Sequence, residues 1–148
     1  MTKAAEDMLL GIRSILRAFT VDETRFPPAE GRIKYNPVDF QTLYHLSENP
    51  GCKNAELARF LGVAATSAQS VCDRLIRRGF VQRDSSSTHL RAIALSLTEE
   101  GESVIASIRR QDLANCERML KALPAVERRA FATQIAQIAH SLDESASS

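Results

Sequence analysis

Hydrophobic positions recur along this chain with two periods, and the places where one period yields to the other divide it into elements. Residues 4 to 19 carry Met8, Leu9, Ile12, Ile15, Leu16 and Phe19 along one side of a predicted helix. The segment from Thr20 to Asn36 holds Pro27, Pro28 and Gly31 and reads as a connector or a partly helical extension, long for a compact domain. Asn36-Pro37 has the form of a helix start; Phe40, Leu43, Tyr44 and Leu46 follow, and the helix should end near Asn49-Pro50-Gly51. Lys53 is assigned to a minimal first strand. Asn54 is expected to cap a helix over Ala55 to Leu61, with Glu56 in the first turn where the helix dipole favours a carboxylate, and Gly62 to stop it. A further helix is expected from about Ala65 to Arg78, where Ala68, Val71, Cys72 and Leu75 make one buried stripe and Gly79 marks the end.

The period then changes from helical to two. Phe80 to Arg83 and Arg91 to Leu97 read as strands, with Ile93, Leu95 and Leu97 alternating against Ala92, Ala94 and Ser96. Asp84 to Leu90 form a turn-rich tip between them. Thr98 should cap a long helix with Glu99 and Glu100 in its first turn and Val104, Ile105, Ile108, Leu113, Cys116, Met119, Leu120 and Leu123 returning along it. Pro124 marks a break and the start of a last helix bearing Phe131, Ile135, Ile138 and Leu142, after which the chain should fray.

Helix, glycine-containing turn, helix and hairpin, in that order, make a winged helix-turn-helix over about residues 37–97. The fold class is mainly α with a small β-wing, in one domain of 148 residues, with flanking helices at about 4–26 and 98–142. The outward face of the second helix carries Thr66, Ser67, Gln69, Ser70, Asp73, Arg74 and Arg77. A polar outer face is also what a merely solvated helix shows. The hairpin behind it favours groove reading, in which Gln, Ser, Thr or Arg read base edges while peripheral cations hold phosphates.

The chain resembles the MarR family of bacterial transcriptional regulators. The resemblance rests on the order and spacing of Glu56-Leu57-Ala58, Leu61-Gly62-Val63, Asp73-Arg74-Leu75, Gly79-Phe80-Val81-Gln82-Arg83 and Leu95-Ser96-Leu97-Thr98-Glu99-Glu100-Gly101, and extends from about residue 35 to the last helix. It implies a homodimer held by the terminal helices, double-stranded DNA as partner, and repression of transcription from a pseudo-palindrome with half-sites about one helical turn apart. The apolar stripes at both ends of the chain also ask for a second copy, the alternative being that they pack on their own domain. Thr66, Ser67, Gln69, Ser70 and Arg74 are the expected groove contacts, with Arg77 and Arg91 on phosphates or in the minor groove. The resemblance further implies a crevice for a small aromatic effector, with Arg13, Arg17, Tyr35, Tyr44 and His45 as its expected neighbours, or else as ordinary surface and core residues.

Two departures from the family pattern stand out. At the base of the wing the family has an acid, a variable residue and an arginine, where this chain has His89, Leu90 and Arg91; the arginine is kept and its acid is not. Asp84 is left as the acid that could approach Arg91 across the hairpin. Ala64 stands where the family often has a capping Ser or Thr, a role that could pass to Thr66. The depleted wing keeps open a second reading, a winged-helix protein-interaction module that has lost DNA binding.

Composition refines this picture. Net charge is +1, yet Cys52 to Arg91 hold seven bases against three acids while residues from Thr98 onward hold six against eight. A modest positive charge therefore lies where phosphates would be. No apolar run is long enough to span a bilayer and no secretory signal leads the chain, so a cytoplasmic protein is expected. Cys52, Cys72 and Cys116 form no Cys-x-x-Cys pair, and Cys72 falls on the buried stripe as a small core residue. His45, His89 and His140 lack ligand-like spacing. With no phosphate loop, nucleophile motif or paired catalytic carboxylate, neither an enzyme nor a cofactor is expected.

Overall fold

The structure is a computed structural model that describes residues 1–21, 36–85 and 93–146. The elements are α1 (Lys3–Thr20), α2 (Pro37–Glu48), β1 (Cys52–Lys53), α3 (Asn54–Leu61), α4 (Ala65–Arg77), β2 (Val81–Ser85), β3 (Ile93–Leu97), α5 (Glu99–Leu120), a 3-10 turn (Ala125–Glu127) and α6 (Arg128–Ala146). The expected connector at 20–36 and the tip of the hairpin fall largely outside the described residues. The chain divides into two compact units, Met1–Arg109 and Arg110–Ser148. No described helix is long and apolar enough to cross a membrane.

In the first unit, Asn36 caps α2 by accepting from the Val38 and Asp39 N–H groups at 3.1 and 3.2 Å, with Pro37 at the first helical position. The helix buries Asp39, Thr42, Leu43 and Leu46, with the expected Phe40 and Tyr44 partly buried against the core, so a carboxylate heads the buried face. The sheet is antiparallel in the order β1-β3-β2, with Val81 opposite Leu97 and Ser85 opposite Ile93. β2 thus runs two residues further into the hairpin than expected. Cys52 pairs with Leu95, which fixes β1 on the other edge of β3.

The core gathers Leu43 and Leu46 of α2, Leu57 of α3, Val71, Cys72 and Leu75 of α4, Val81, Leu95 and Leu97 of the sheet, and Val104, Ile105 and Ile108 of α5. Each such side chain contributes about 1.5–3 kcal/mol on burial. Burial also pushes the Cys72 thiol up to about 11.

One backbone node joins the end of α4 to the start of α5. Thr98 donates from its N–H to the Phe80 carbonyl at 3.0 Å and from its hydroxyl to the Gly79 carbonyl at 2.5 Å. The same hydroxyl accepts the Gly101 N–H at 3.0 Å, which is the expected cap of α5. Gly101 must lack a side chain, because a Cβ there would lie 2.0 Å from the Phe80 carbonyl oxygen.

The second unit departs from expectation at both ends of its last helix. Pro124 leads into the 3-10 turn, and α6 begins only at Arg128. Arg128 Nε donates to the Leu120 and Leu123 carbonyls at 3.0 and 3.1 Å, capping the end of α5. The tail beyond Leu142 stays helical to Ala146 instead of fraying.

Gly101→Ala is expected to lower stability by about 2–3 kcal/mol, because a backbone carbonyl has no rotamer by which to yield; a urea midpoint equal to that of the parent would contradict this. The raised Cys72 thiol makes the unfolded chain lose its proton near the ordinary value of 9.0 while the folded chain keeps it. Stability is therefore lost as pH rises from about 9 toward 11. The stability advantage of the parent over Cys72→Ala should shrink by about 1–1.5 kcal/mol between pH 8 and 10, read from denaturation at each pH.

Candidate nucleic-acid interface

The helix-turn-helix is built from α3 and α4. Gly62 ends α3 in the left-handed region at φ 69°, and its N–H returns to Ala58 and Arg59. Asn54 does not cap α3; that place is Lys53, whose N–H donates to Glu56 Oε2 at 3.3 Å. The Asn54 amide instead donates to the Ala65 carbonyl at 3.0 Å, tying the start of α3 to the start of α4 across the turn. Ala64 precedes α4 without any side-chain cap, so Thr66 does not take that role. The N–H groups at this helix start are left for solvent or for a phosphate.

On α4 the buried set is Ala68, Val71, Cys72 and Leu75, as the spacing required. Thr66, Ser67, Gln69, Ser70 and Arg77 are exposed, together on the surface expected to read DNA. Ser70 donates its hydroxyl to the Thr66 carbonyl at 3.1 Å and keeps its lone pairs outward.

Arg74 is different. Its Nη2 donates to Asp39 Oδ1 on α2, and it is half-buried, with 41 % of its side chain exposed against 5 % for the carboxylate. The Asp39 hydrogen bond raises the Arg74 pKa further. The neighbouring Asp73 pairs outward with Arg83 on β2. Two of the cations counted toward DNA are thus engaged inside the lobe. Sequence reading missed Asp39, although a carboxylate at the head of the 39, 42, 43, 46 set was a legible signal: on a buried face it demands a cation.

Arg91 and Tyr35 lie outside the described residues. Asp84 accepts from the Ser96 hydroxyl at 3.1 Å. Of the remaining crevice candidates, Arg13 and Arg17 are exposed on α1, Tyr44 packs on the core, and His45 stacks on Phe60 at 4.1 Å between ring centroids. Cys52 and Cys72 are buried free thiols and Cys116 is exposed. Among the described residues no group of three or more His, Cys, Asp or Glu could hold a metal ion.

Removing the Arg74 guanidinium would strand a buried carboxylate. Arg74→Ala should cost about 2–3 kcal/mol, below the full range for a buried pair because Arg74 is partly solvated, whereas exposed Arg77→Ala should stay within about 0.5 kcal/mol. Thermal or urea denaturation of the two variants separates these roles, and equal losses would contradict them.

A family model described as the MarR family matches residues 34–92. Streptococcus pneumoniae FabT, solved in complex with DNA, is 17 % identical, with 95 % of this chain and 98 % of that chain covered at a TM-score of 0.78. The transcriptional regulator SlyA is 20 % identical over 99 % of this chain and 98 % of that chain, with a TM-score of 0.68. A structure of MarR is 25 % identical over 92 % and 98 %, with a TM-score of 0.72. Residues 34–92 thus match the MarR family's pattern, and the fold along nearly the whole chain is shared with these winged helix-turn-helix structures.

Proposed function

We propose that the protein is a sequence-specific DNA-binding regulator of transcription, a repressor that binds a pseudo-palindromic operator as a homodimer in the cytoplasm. The observation that carries this reading is the division of α4 into a buried stripe and an exposed row of Thr66, Ser67, Gln69 and Ser70. Short hydroxyls and an amide at the N-terminal end of a helix can reach base edges in the major groove, where the second helix of this motif docks. Arg77 at the other end suits a phosphate.

Support for the homodimer comes from two faces. Met8, Leu9, Leu10, Ile12, Ile15 and Leu16 on α1, and Phe131, Ile135, Ile138 and Leu142 on α6, are each at least 40 % exposed. Contiguous apolar faces of this kind mark interaction surfaces. A small aromatic effector near Arg13, Arg17, Tyr35, Tyr44 and His45 would act by favouring one spacing of the two recognition helices over another, lowering DNA affinity through linkage. A second reading, a winged-helix interaction module without DNA binding, draws on the engagement of Arg74 and Arg83 by carboxylates of their own lobe.

Selection of random and genomic duplexes by the purified protein at about 150 mM salt tests the reading, since weak non-specific binding is then largely screened. Enrichment of a palindrome is expected; its absence from a folded dimer moves the assignment to the interaction module. On the enriched site, Gln69→Ala should change base preference, while Arg77→Ala should weaken all duplexes and flatten the salt slope by about one unit. Equal weakening on every duplex by both would remove the division of roles.

A further inference from the structure

Arg74 occupies the boundary between the two faces of α4, one turn beyond Ser70 and beside Arg77 on the helix surface. Its partner is fixed from two directions. The Asp39 backbone N–H is held by Asn36 Oδ1 at 3.2 Å in the first turn of α2, and the Asp39 side chain is buried. A guanidinium is a rigid planar fork of five N–H donors, so anchoring one edge fixes its plane and leaves its other donors oriented. Arg74 keeps 41 % of its side chain exposed while so anchored.

The apolar contacts of α4 are made largely by small residues, with Ala68, Val71 and Cys72 filling three of four buried positions. Leu75 and the partly buried Ile76 complete the packing that seats the helix. Two adjacent residues about 100° apart on the helix add polar ties that bear on its rotation, Asp73 to Arg83 on β2 and Arg74 to Asp39 on α2. The two arginines are about equally exposed, but the Asp73 carboxylate is partly solvated, so the first pair contributes less. The second has a buried carboxylate and carries most of the constraint.

We propose that Asp39 is a positioning residue for DNA reading: through Arg74 it sets the rotation of the recognition helix and the plane of the guanidinium, so that discrimination between sequences depends on it more than total affinity does. This rests on the DNA-reading function proposed above. Asp39 touches no base in this scheme. It also offsets one positive charge at the interface, so its removal should not weaken binding to an arbitrary duplex.

The test compares parent, Asp39→Asn and Asp39→Glu on the duplex enriched by selection and on a scrambled duplex of equal length, with folding checked by circular dichroism. Asp39→Asn is expected to lower the ratio of specific to scrambled affinity about tenfold while scrambled binding stays equal or tightens, and Asp39→Glu should recover part of the ratio. Should Asp39→Asn fail to fold, Arg74→Lys replaces it, keeping the charge and losing the planar fork, with the same fall expected. A parent that discriminates and variants that keep its ratio overturn this inference alone, as does an equal loss on both duplexes. A parent that discriminates no duplex overturns the DNA reading and this inference with it.

Discussion

Burial of one narrow face of α4 is the constraint on which the winged lobe depends. Val71, Cys72 and Leu75 enter the same cluster as Leu43, Leu57, Leu95 and Ile108, so three other helices and the sheet share one core with α4. Because that helix is buried on one side only, its other side has no packing role. Residues there are free to be Thr, Ser and Gln, and the face proposed to read DNA is a consequence of where the core lies. Tight packing then makes the position of that surface as definite as the core itself.

The end of α4 is held by a different kind of contact. Thr98 reaches back to two successive carbonyls, those of Gly79 and Phe80, and receives Gly101, so three segments share one hydroxyl and one peptide. Backbone carbonyls cannot change rotamer, and the missing Cβ of Gly101 lets α5 approach Phe80 closely. Displacing the first turn of α5 therefore either moves the end of α4 or breaks these bonds. A shift of the first turn of α5 thus has a stiff route to the end of α4.

Much of this was legible in the sequence because it is local. The α4 stripe, the Gly62 turn, the Asn36-Pro37 start and the Thr98 cap each follow from neighbours within four residues, and each was found where expected. What escaped was non-local or depended on competition between neighbours. Asp39 was passed over because apolar periodicity alone pointed to Phe40, and its partner lies 35 residues away. Asn54 has the chemistry of a cap, but Lys53 occupies the cap position and frees the Asn54 amide for Ala65. The late start of α6 reflects the 3-10 turn after Pro124, which a proline signals only as a break. For the expected site, Thr66, Ser67, Gln69, Ser70 and Arg77 share the exposed face of α4, whereas Arg74 belongs partly to the lobe's interior.

The exposed apolar residues of α1 and α6 raise a question of energy that a single chain does not answer. At about 25 cal/mol per Å² of apolar surface, two such faces left in water forgo several kcal/mol, a large share of the stability of a domain this size. In the proposed homodimer a two-fold axis presents each face to its own copy, so one chain supplies both sides of the contact. The same axis duplicates α4. The distance between the two copies of α4 is then set by the dimer helices, while the residues each copy presents are set by the winged lobe. Under that proposal, base preference and half-site spacing would be controlled by different parts of the chain, and an effector that altered the spacing would not need to touch a single residue of the reading face.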